Sequence, residues 1–457
     1  MHRIPVKNYN LPRFDDEDVI KSWNWFMSFM SEQAWQKRKA VIEEKITVKF
    51  RASQPFSEPL TEGTLLVIKD DVIGWYLYLI DMLINEPHKY EYFQGARIVP
   101  IFKRFGIDLE LLKNIDGINK RINDLLKKRK SEADALLFEI LTALLWTKNG
   151  YQVAFIPEEM EKKTPDIIAE KEGRTWNIEC KRQTKTSNYS YKETAKRQKM
   201  ISYISKTLIE RNILLDIIFH IELETLPDTF LRDILEQKLK LAIPGKIVSN
   251  NKVDIDLKFV DMLAIKKHLE INSVKYNSPM LNELIGKKTV DNKGFTCAVY
   301  ANFFRVGDGE VNNLYISDIA NAYGVYWSCD SEKALWAKAR DIKNQLHKAM
   351  QQFNSKETAV IHVGMETYDG PEVESTRNSK IKQTIERISP EQTNLRWIFC
   401  HFFQAYSKPD QAWVFDETVS TMSAYLKPKP LLRVNSMIVP EDCDTLDEVS
   451  HWDRPLP

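Results

Sequence analysis

The sequence predicts an α/β protein whose core runs helix, three strands, helix, strand between residues 131 and 222. Three observations predict it. A capped apolar helix starts at Ser131, a tight hairpin spans 163–182, and an apolar strand follows a second helix near 214. A mostly helical N-terminal domain precedes this core, and an inserted subdomain follows it.

The central stretch is Lys163 to Arg182, KTPDIIAEKEGRTWNIECKR. Its first strand opens at Pro165-Asp166 and continues through Ile167, Ile168 and Ala169. Gly173 supplies the positive φ that a turn at Lys171-Glu172-Gly173-Arg174 requires. The second strand runs from Thr175 to about Lys181, with Trp176, Ile178 and Cys180 on one face and Asn177, Glu179 and Lys181 on the other. An unbulged hairpin centred between Glu172 and Gly173 sets Asp166 opposite Glu179. Cβ atoms in such a pair sit roughly 4.5–5.5 Å apart, where like charges repel. Two carboxylates that close, with an ammonium beside them, call for a cation. A divalent metal answers most simply.

Pro165-Asp166, a gap of twelve residues and then Glu179-Cys180-Lys181 resembles the PD-(D/E)xK nuclease superfamily, with its restriction-endonuclease-like fold. The resemblance covers residues 131–222 well and 331–416 loosely. It implies that Asp166 and Glu179 bind Mg²⁺, with Mn²⁺ as the alternative ion, and that Lys181 positions or activates the attacking water. It also implies a carboxylate on the preceding helix. Glu139 sits in the middle of the apolar helix, where an unpartnered charge is costly. It is therefore the fourth metal candidate, beside the Cys180 carbonyl; the alternative is a partly exposed Glu on the helix flank. The expected activity is Mg²⁺-dependent phosphodiester hydrolysis, on DNA in preference to RNA, with defence against foreign DNA as a setting by analogy. A rival reading is a catalytically silent nuclease-fold protein that binds nucleic acid or a partner protein.

The chain has 457 residues, enough for two or three domains. With 65 basic and 64 acidic residues the net charge is +1, so a nucleic-acid surface has to be local. The sharpest excess lies between Lys181 and Arg211, nine basic residues against two acidic. Lys192, Lys196 and Lys199 share one face of a helix expected over 191–211. With Arg182, Lys185, Gln183 and Gln198 they form the expected nucleic-acid rim; the plain alternative is a solvated basic face. The five cysteines show no CxxC pair, which argues against zinc and a disulfide framework and fits a reducing cytoplasm. The start carries no apolar signal core, and no run is long enough to span a bilayer. A homo-oligomer or a protein partner is expected, and no membrane.

The remaining elements follow from periodicity. Trp23, Phe26, Met27, Met30 and Ala34 fall at helical spacing and read as a core stripe. Ile46, Val48 and Phe50 alternate with polar residues and predict a half-exposed strand. Val72 to Ile84 predicts a buried helix, and Leu109 to Leu126 a helix or helix pair broken near Gly117. Ser131, with Asp134 three positions on, predicts an N-cap. Tyr151 to Ile156 predicts the first core strand, and Leu214 to Glu222 the last. The inserted subdomain covers 225–330, with a helix over 228–241 and a strand over 296–304. Gly286-Lys287-Lys288-Thr289 lacks the upstream glycine of a phosphate loop, because residue 281 is Leu. Helices near 331–353 and 375–388 and strands near 358–363 and 395–405 predict an extension of the core sheet over 331–426. His347, His362 and His401 have no ligand spacing and read as ordinary histidines. Residues 427–457 predict a Pro-rich extended tail.

Overall fold

The computed structural model describes residues 16–52, 68–157, 164–183, 186–286, 293–309, 311–353, 358–366, 369–387, 394–409, 411–423, 429–441 and 449–453. Lys185 of the expected basic rim and most of the 286–289 segment lie outside them.

Helices form the N-terminal part: α1 (Glu17–Met27), α2 (Glu32–Ala52), α3 (Val72–Asn85), α4 (Tyr92–Ile107), α5 (Leu109–Lys113) and α6 (Ile118–Lys127). The apolar stripe read across 23–34 is split between two of them. Trp23 and Phe26 are buried on α1, but that helix ends at Met27, and Trp35 rather than Ala34 faces inward from α2. The strand expected at 46–50 is the end of α2. Trp35, Ile42 and Ile46 are buried on one helical face, and that longer period overrides five residues of alternation. Gly117, at φ +80°, separates α5 from α6 where the sequence placed the break.

Helix α7 (Ala133–Lys148) follows. Its expected Ser131 cap does not form; a short 3₁₀ turn over Lys130–Glu132 leads in, and Asp134 turns instead to Arg97 at 2.6 Å and Tyr76 at 2.7 Å. Strands β1 (Gln152–Phe155), β2 (Ile167–Lys171) and β3 (Arg174–Gln183) come next. The β2–β3 hairpin has the expected register, Ile167 opposite Ile178 and Lys171 opposite Arg174. Both turn residues take positive φ, Glu172 at 51° and Gly173 at 72°, which matches the twist of a two-residue hairpin.

From here the chain leaves the hairpin's sheet. The helix expected over 191–211 is two helices, α8 (Asn188–Ser202) and α9 (Ser205–Glu210). There follow β4 (Ile213–Phe219), α10 (Phe230–Leu241), β5 (Gly245–Ser249), β6 (Val253–Phe259), α11 (Met262–Ile271), β7 (Val274–Lys275), α12 (Pro279–Gly286), β8 (Gly294–Arg305), β9 (Leu314–Cys329), α13 (Glu332–Lys338) and α14 (Lys343–Met350). The strands build a second sheet, ordered β5-β6-β4-β9-β7, with β8 also paired to β9.

The last strands return to the hairpin: β10 (Ala359–Glu366), α15 (Pro371–Glu386), β11 (Leu395–Lys408) and β12 (Gln411–Ser423). The first sheet is ordered β1-β2-β3-β10-β11-β12, and β3, β10 and β11 run parallel. The strand expected over 214–222 as the fourth of the hairpin's sheet is β4, which ends at Phe219 and belongs to the other sheet, and β10 takes the place beside β3. Strand β4 is covered on both faces, with Leu215 and Ile217 in one apolar cluster and Leu214 in another. A strand buried on both sides reads alike in either sheet.

The fold is thus mixed α/β with two mixed sheets. One apolar core joins α1–α7 to the first sheet and takes in Leu432, Met437 and Ile438 of the C-terminal segment. Helix α7 lies against β3 and β10 closely enough that a Cβ on Gly364 would stand 2.6 Å from the Phe138 ring. Among the described residues, no helix is long and apolar enough to cross a membrane.

Candidate functional site: an acidic hairpin beside a buried arginine–carboxylate cluster

Asp166 sits one residue before β2. Its backbone N–H donates to the Ile178 carbonyl at 3.1 Å, and its Oδ2 accepts the Cys180 N–H at 2.7 Å. The hairpin geometry therefore fixes the first acid directly against the strand that carries the second. Alternation along β3 puts Glu179 and Lys181 on the face away from α7, and the Lys181 ammonium is ion-paired to Glu179 Oε1. Glu179 is 1% exposed, and its Oε2 is buried with no hydrogen-bond partner among the described residues.

The electrostatics follow from this crowding. Burial pushes the Glu179 carboxyl up to about 8; Asp166 and Glu139 add to the rise, and Lys181 opposes it. Burial works against the Lys181 ammonium, but Glu179 and then Asp166 hold its pKa above the usual lysine value. The Cys180 thiol faces α7, with Thr142 as a side-chain partner; burial first, then Asp166 and Glu139, raise it far above the ordinary range.

Glu139 is buried, which rules out the partly exposed flank position held open as the alternative, and it has a cationic partner. Arg121 of α6 reaches it at 3.1 Å while lying over the Phe155 ring. Neither expectation for Glu139 foresaw that guanidinium. The acid faces the pair through its charge and is held by protein.

The expected nucleic-acid rim is arranged differently from the reading of the sequence. Lys192 pairs with Glu224 at 3.4 Å, and Lys196 and Lys199 both close on Asp228, at 2.6 and 2.5 Å. The basic face of α8 is thus met by acids just beyond β4, far enough along the chain to escape a local charge count. Gln183 is buried and donates to the Asp341 carbonyl at 3.5 Å; Gln198 is half-buried. Arg182 is half-buried and does not join the α8 face. It points to the α7 side, ion-paired to Glu366 and lying over the rings of Phe403 and Phe138.

Around Arg182 lies a network that sequence reasoning missed. Arg97 of α4 reaches Glu366 Oε2 at 2.6 Å, Asp134 Oδ1 at 2.6 Å and the Tyr76 hydroxyl at 2.7 Å. The only local signal was a charged residue within each of several apolar runs. The histidines are partly a surprise too. His347 is exposed, but His362 and His401 are fully buried in a relay: the Trp146 indole N–H donates to His362 Nε2 at 3.0 Å, and His362 Nδ1 meets His401 Nε2 at 3.0 Å. His401 Nδ1 then faces Glu417 at 3.4 Å, whose carboxylate accepts the N–H groups of Met437, Ile438 and Val439. Burial, and then His401, hold His362 well below the ordinary histidine range.

Among the described residues, no group of three or more His, Cys, Asp or Glu side chains stands as a metal-holding cluster. Asp166 and Glu179 are a two-carboxylate set, with Glu139 engaged by Arg121. No family model matches the chain, and neither a curated protein nor a solved structure matches it.

Proposed function

We propose that the protein is a metal-dependent nuclease of the PD-(D/E)xK type, hydrolysing a nucleic-acid phosphodiester at the Asp166–Glu179–Lys181 constellation. One observation carries this reading. Asp166 is fastened across the hairpin to the strand bearing Glu179 and Lys181, and the buried Glu179 Oε2 there has no hydrogen-bond partner among the described residues. An acceptor left bare in that position costs free energy that a bound cation would return.

The residues fit Mg²⁺ better than a cation needing a full protein cage. Mg²⁺ usually keeps several waters and takes one or two carboxylates plus substrate oxygens. Asp166 and Glu179 would hold it; Mn²⁺ suits the same oxygens. When bound, the ion supplies charge for the phosphoryl oxygens and lowers the pKa of a coordinated water. The chain's own part is positional. The Cys180 N–H holds the Asp166 carboxylate in place, and the Lys181 ammonium lies where a water or a phosphoryl oxygen would approach Glu179. Strand order supports the same family, since β10 lies parallel beside β3 after the excursion through the second sheet.

The lysines of α8, three against the two carboxylates of Glu224 and Asp228, are drawn into ion pairs and contribute less to substrate capture than a bare count suggests. This leaves Lys181 and the bound ion as the proposed contacts at the reacting phosphate. DNA is the proposed substrate ahead of RNA, and the cytoplasm is the proposed compartment. The ion pair of Lys181 with Glu179 favours one alternative, a silent nuclease fold that only binds. Incubation with plasmid, linear duplex, single-stranded DNA and RNA, under Mg²⁺, Mn²⁺ or EDTA, separates the two. Metal-dependent cleavage of any of the four supports the enzyme; intact substrates throughout overturn it.

A further inference from the structure

Between α4 and α7, over the C-terminal ends of β3, β10 and β11, lies a cavity of about 220 Å³. It is on the opposite side of the sheet from Glu179 and Lys181, because alternation along β3 turns Arg182 away from its neighbour. Crevices beyond the carboxyl ends of parallel strands are habitual ligand sites.

The lining has three parts. Phe138, Phe403 and Phe415 make much of an apolar wall. Arg97, Arg182, Asp134 and Glu366 make a polar floor, two guanidiniums against two carboxylates. These four are paired with one another, so their formal charges cancel and no cation is left over for a phosphate or carboxylate. The third part is Gln94. It is 8% exposed, and its backbone N–H is taken by Glu91 Oε2 at 2.6 Å. Its carboxamide makes no hydrogen bond to any other described residue. Arg182 Nη1 is a second buried donor without a hydrogen-bond acceptor.

A carboxamide that lines the cavity and makes no hydrogen bond to another described residue leaves a donor and an acceptor open to a ligand. A side-chain amide presents a donor and an acceptor side by side, and its complement is a rigid edge with the same pair reversed. Adenine has that edge at N6 and N7, and Gln is a usual reader of it. Flat rings also suit a wall of phenylalanines. The balanced floor disfavours an anion. We infer that this cavity binds a neutral, planar heteroaromatic base, adenine above others, with Gln94 reading its donor–acceptor edge against the phenylalanine wall. Such a base could arrive as a free nucleoside or on a single strand. The site is independent of the hydrolytic reading.

Calorimetric titration of the full chain with adenosine, purine riboside and inorganic phosphate tests this. Adenosine should bind, purine riboside about fivefold or more weakly because it lacks the 6-amino donor, and phosphate not at all. Gln94→Met should weaken adenosine by a similar factor; if that variant does not fold, the adenosine–purine riboside ratio in the unaltered protein decides. Displacement of adenosine by a short single-stranded oligo(dA) supports the site with a strand as the source, and failure to displace supports it with the free nucleoside. Asp166→Asn should bind adenosine like the unaltered protein, which keeps this result separate from the nuclease. Adenosine and purine riboside binding equally, no adenosine binding, or phosphate competing with adenosine overturns the assignment.

Discussion

Asp166 Oδ2 accepts the backbone N–H of Cys180 at 2.7 Å, so the acid before β2 is tied to the strand that presents Glu179 and Lys181. The bond gives the carboxylate two separable roles, as an acceptor that pins the hairpin and as a charge.

Replacement by Asn keeps an acceptor and removes the charge. Asp166→Asn should therefore melt at or above the temperature of the unaltered protein, because it also relieves repulsion with Glu179. Asp166→Ala should lose about 1.5–3 kcal/mol, the worth of a hydrogen bond to a charged group. Chemical denaturation of the two variants measures the difference.

Arg121 and Glu139 are a buried pair at 3.1 Å. Arg121→Met leaves Glu139 without its guanidinium and should cost about 3–5 kcal/mol, much of it recovered in the double variant with Glu139→Leu. In the hydrolytic account Glu139 is held by protein, so Glu139→Gln should change the Mg²⁺ requirement far less than Glu179→Gln. Urea melts and Mg²⁺ titrations of activity address the two halves.

The α8 lysines give a prediction opposite in sign to what a charge count suggests. Asp228 holds Lys196 and Lys199 at 2.6 and 2.5 Å. Asp228→Asn should raise affinity for nonspecific duplex DNA and steepen its salt dependence by about one to two phosphate contacts. Fluorescence anisotropy across a salt series reads both.

Lys275 gives the pH prediction. Its ammonium is buried, with Nζ donating to the His88 and Asn312 carbonyls, and burial brings its pKa down to about 7. The unfolded chain, with a lysine near 10.4, binds more protons than the folded chain between those two values. This group therefore makes stability rise as pH climbs from 7 towards 10, and fall as pH drops through the same window. Lys275→Met should flatten that part of the profile, whatever its effect on absolute stability. Melting curves at pH 7, 8, 9 and 10 for both proteins measure the slope.

What the sequence disclosed and what it withheld divide along physical lines. The hairpin was legible because its register rests on local facts, the Glu172-Gly173 turn and strict alternation, and it set Asp166 beside Glu179. Periodicity left Glu139 between a buried and a partly exposed place on its helix, and its partner Arg121, one element earlier, was not legible at all. Strand partnership was illegible for the same reason: 213–219 is apolar on both faces, and nothing local says which sheet it joins. The lysines of α8 looked like a free basic face because Glu224 and Asp228 approach only after the chain has crossed β4. The paired arginines and acids around Glu366 come from β3, α4, α7 and β10, so only tertiary structure assembles them. The end of α2 imitated a strand because the apolar residues Ile46, Val48 and Phe50 fell on alternate positions.

The central claim is that Asp166, Glu179 and Lys181 together hydrolyse a phosphodiester with the help of a divalent ion. The most direct measurement is cleavage of plasmid and single-stranded DNA in Mg²⁺ by the unaltered protein and Asp166→Asn side by side, with circular dichroism confirming that both are folded. The account predicts cleavage by the first, abolished by EDTA, and a loss of at least about a hundredfold in the second. Undiminished Mg²⁺-dependent cleavage by Asp166→Asn would contradict it.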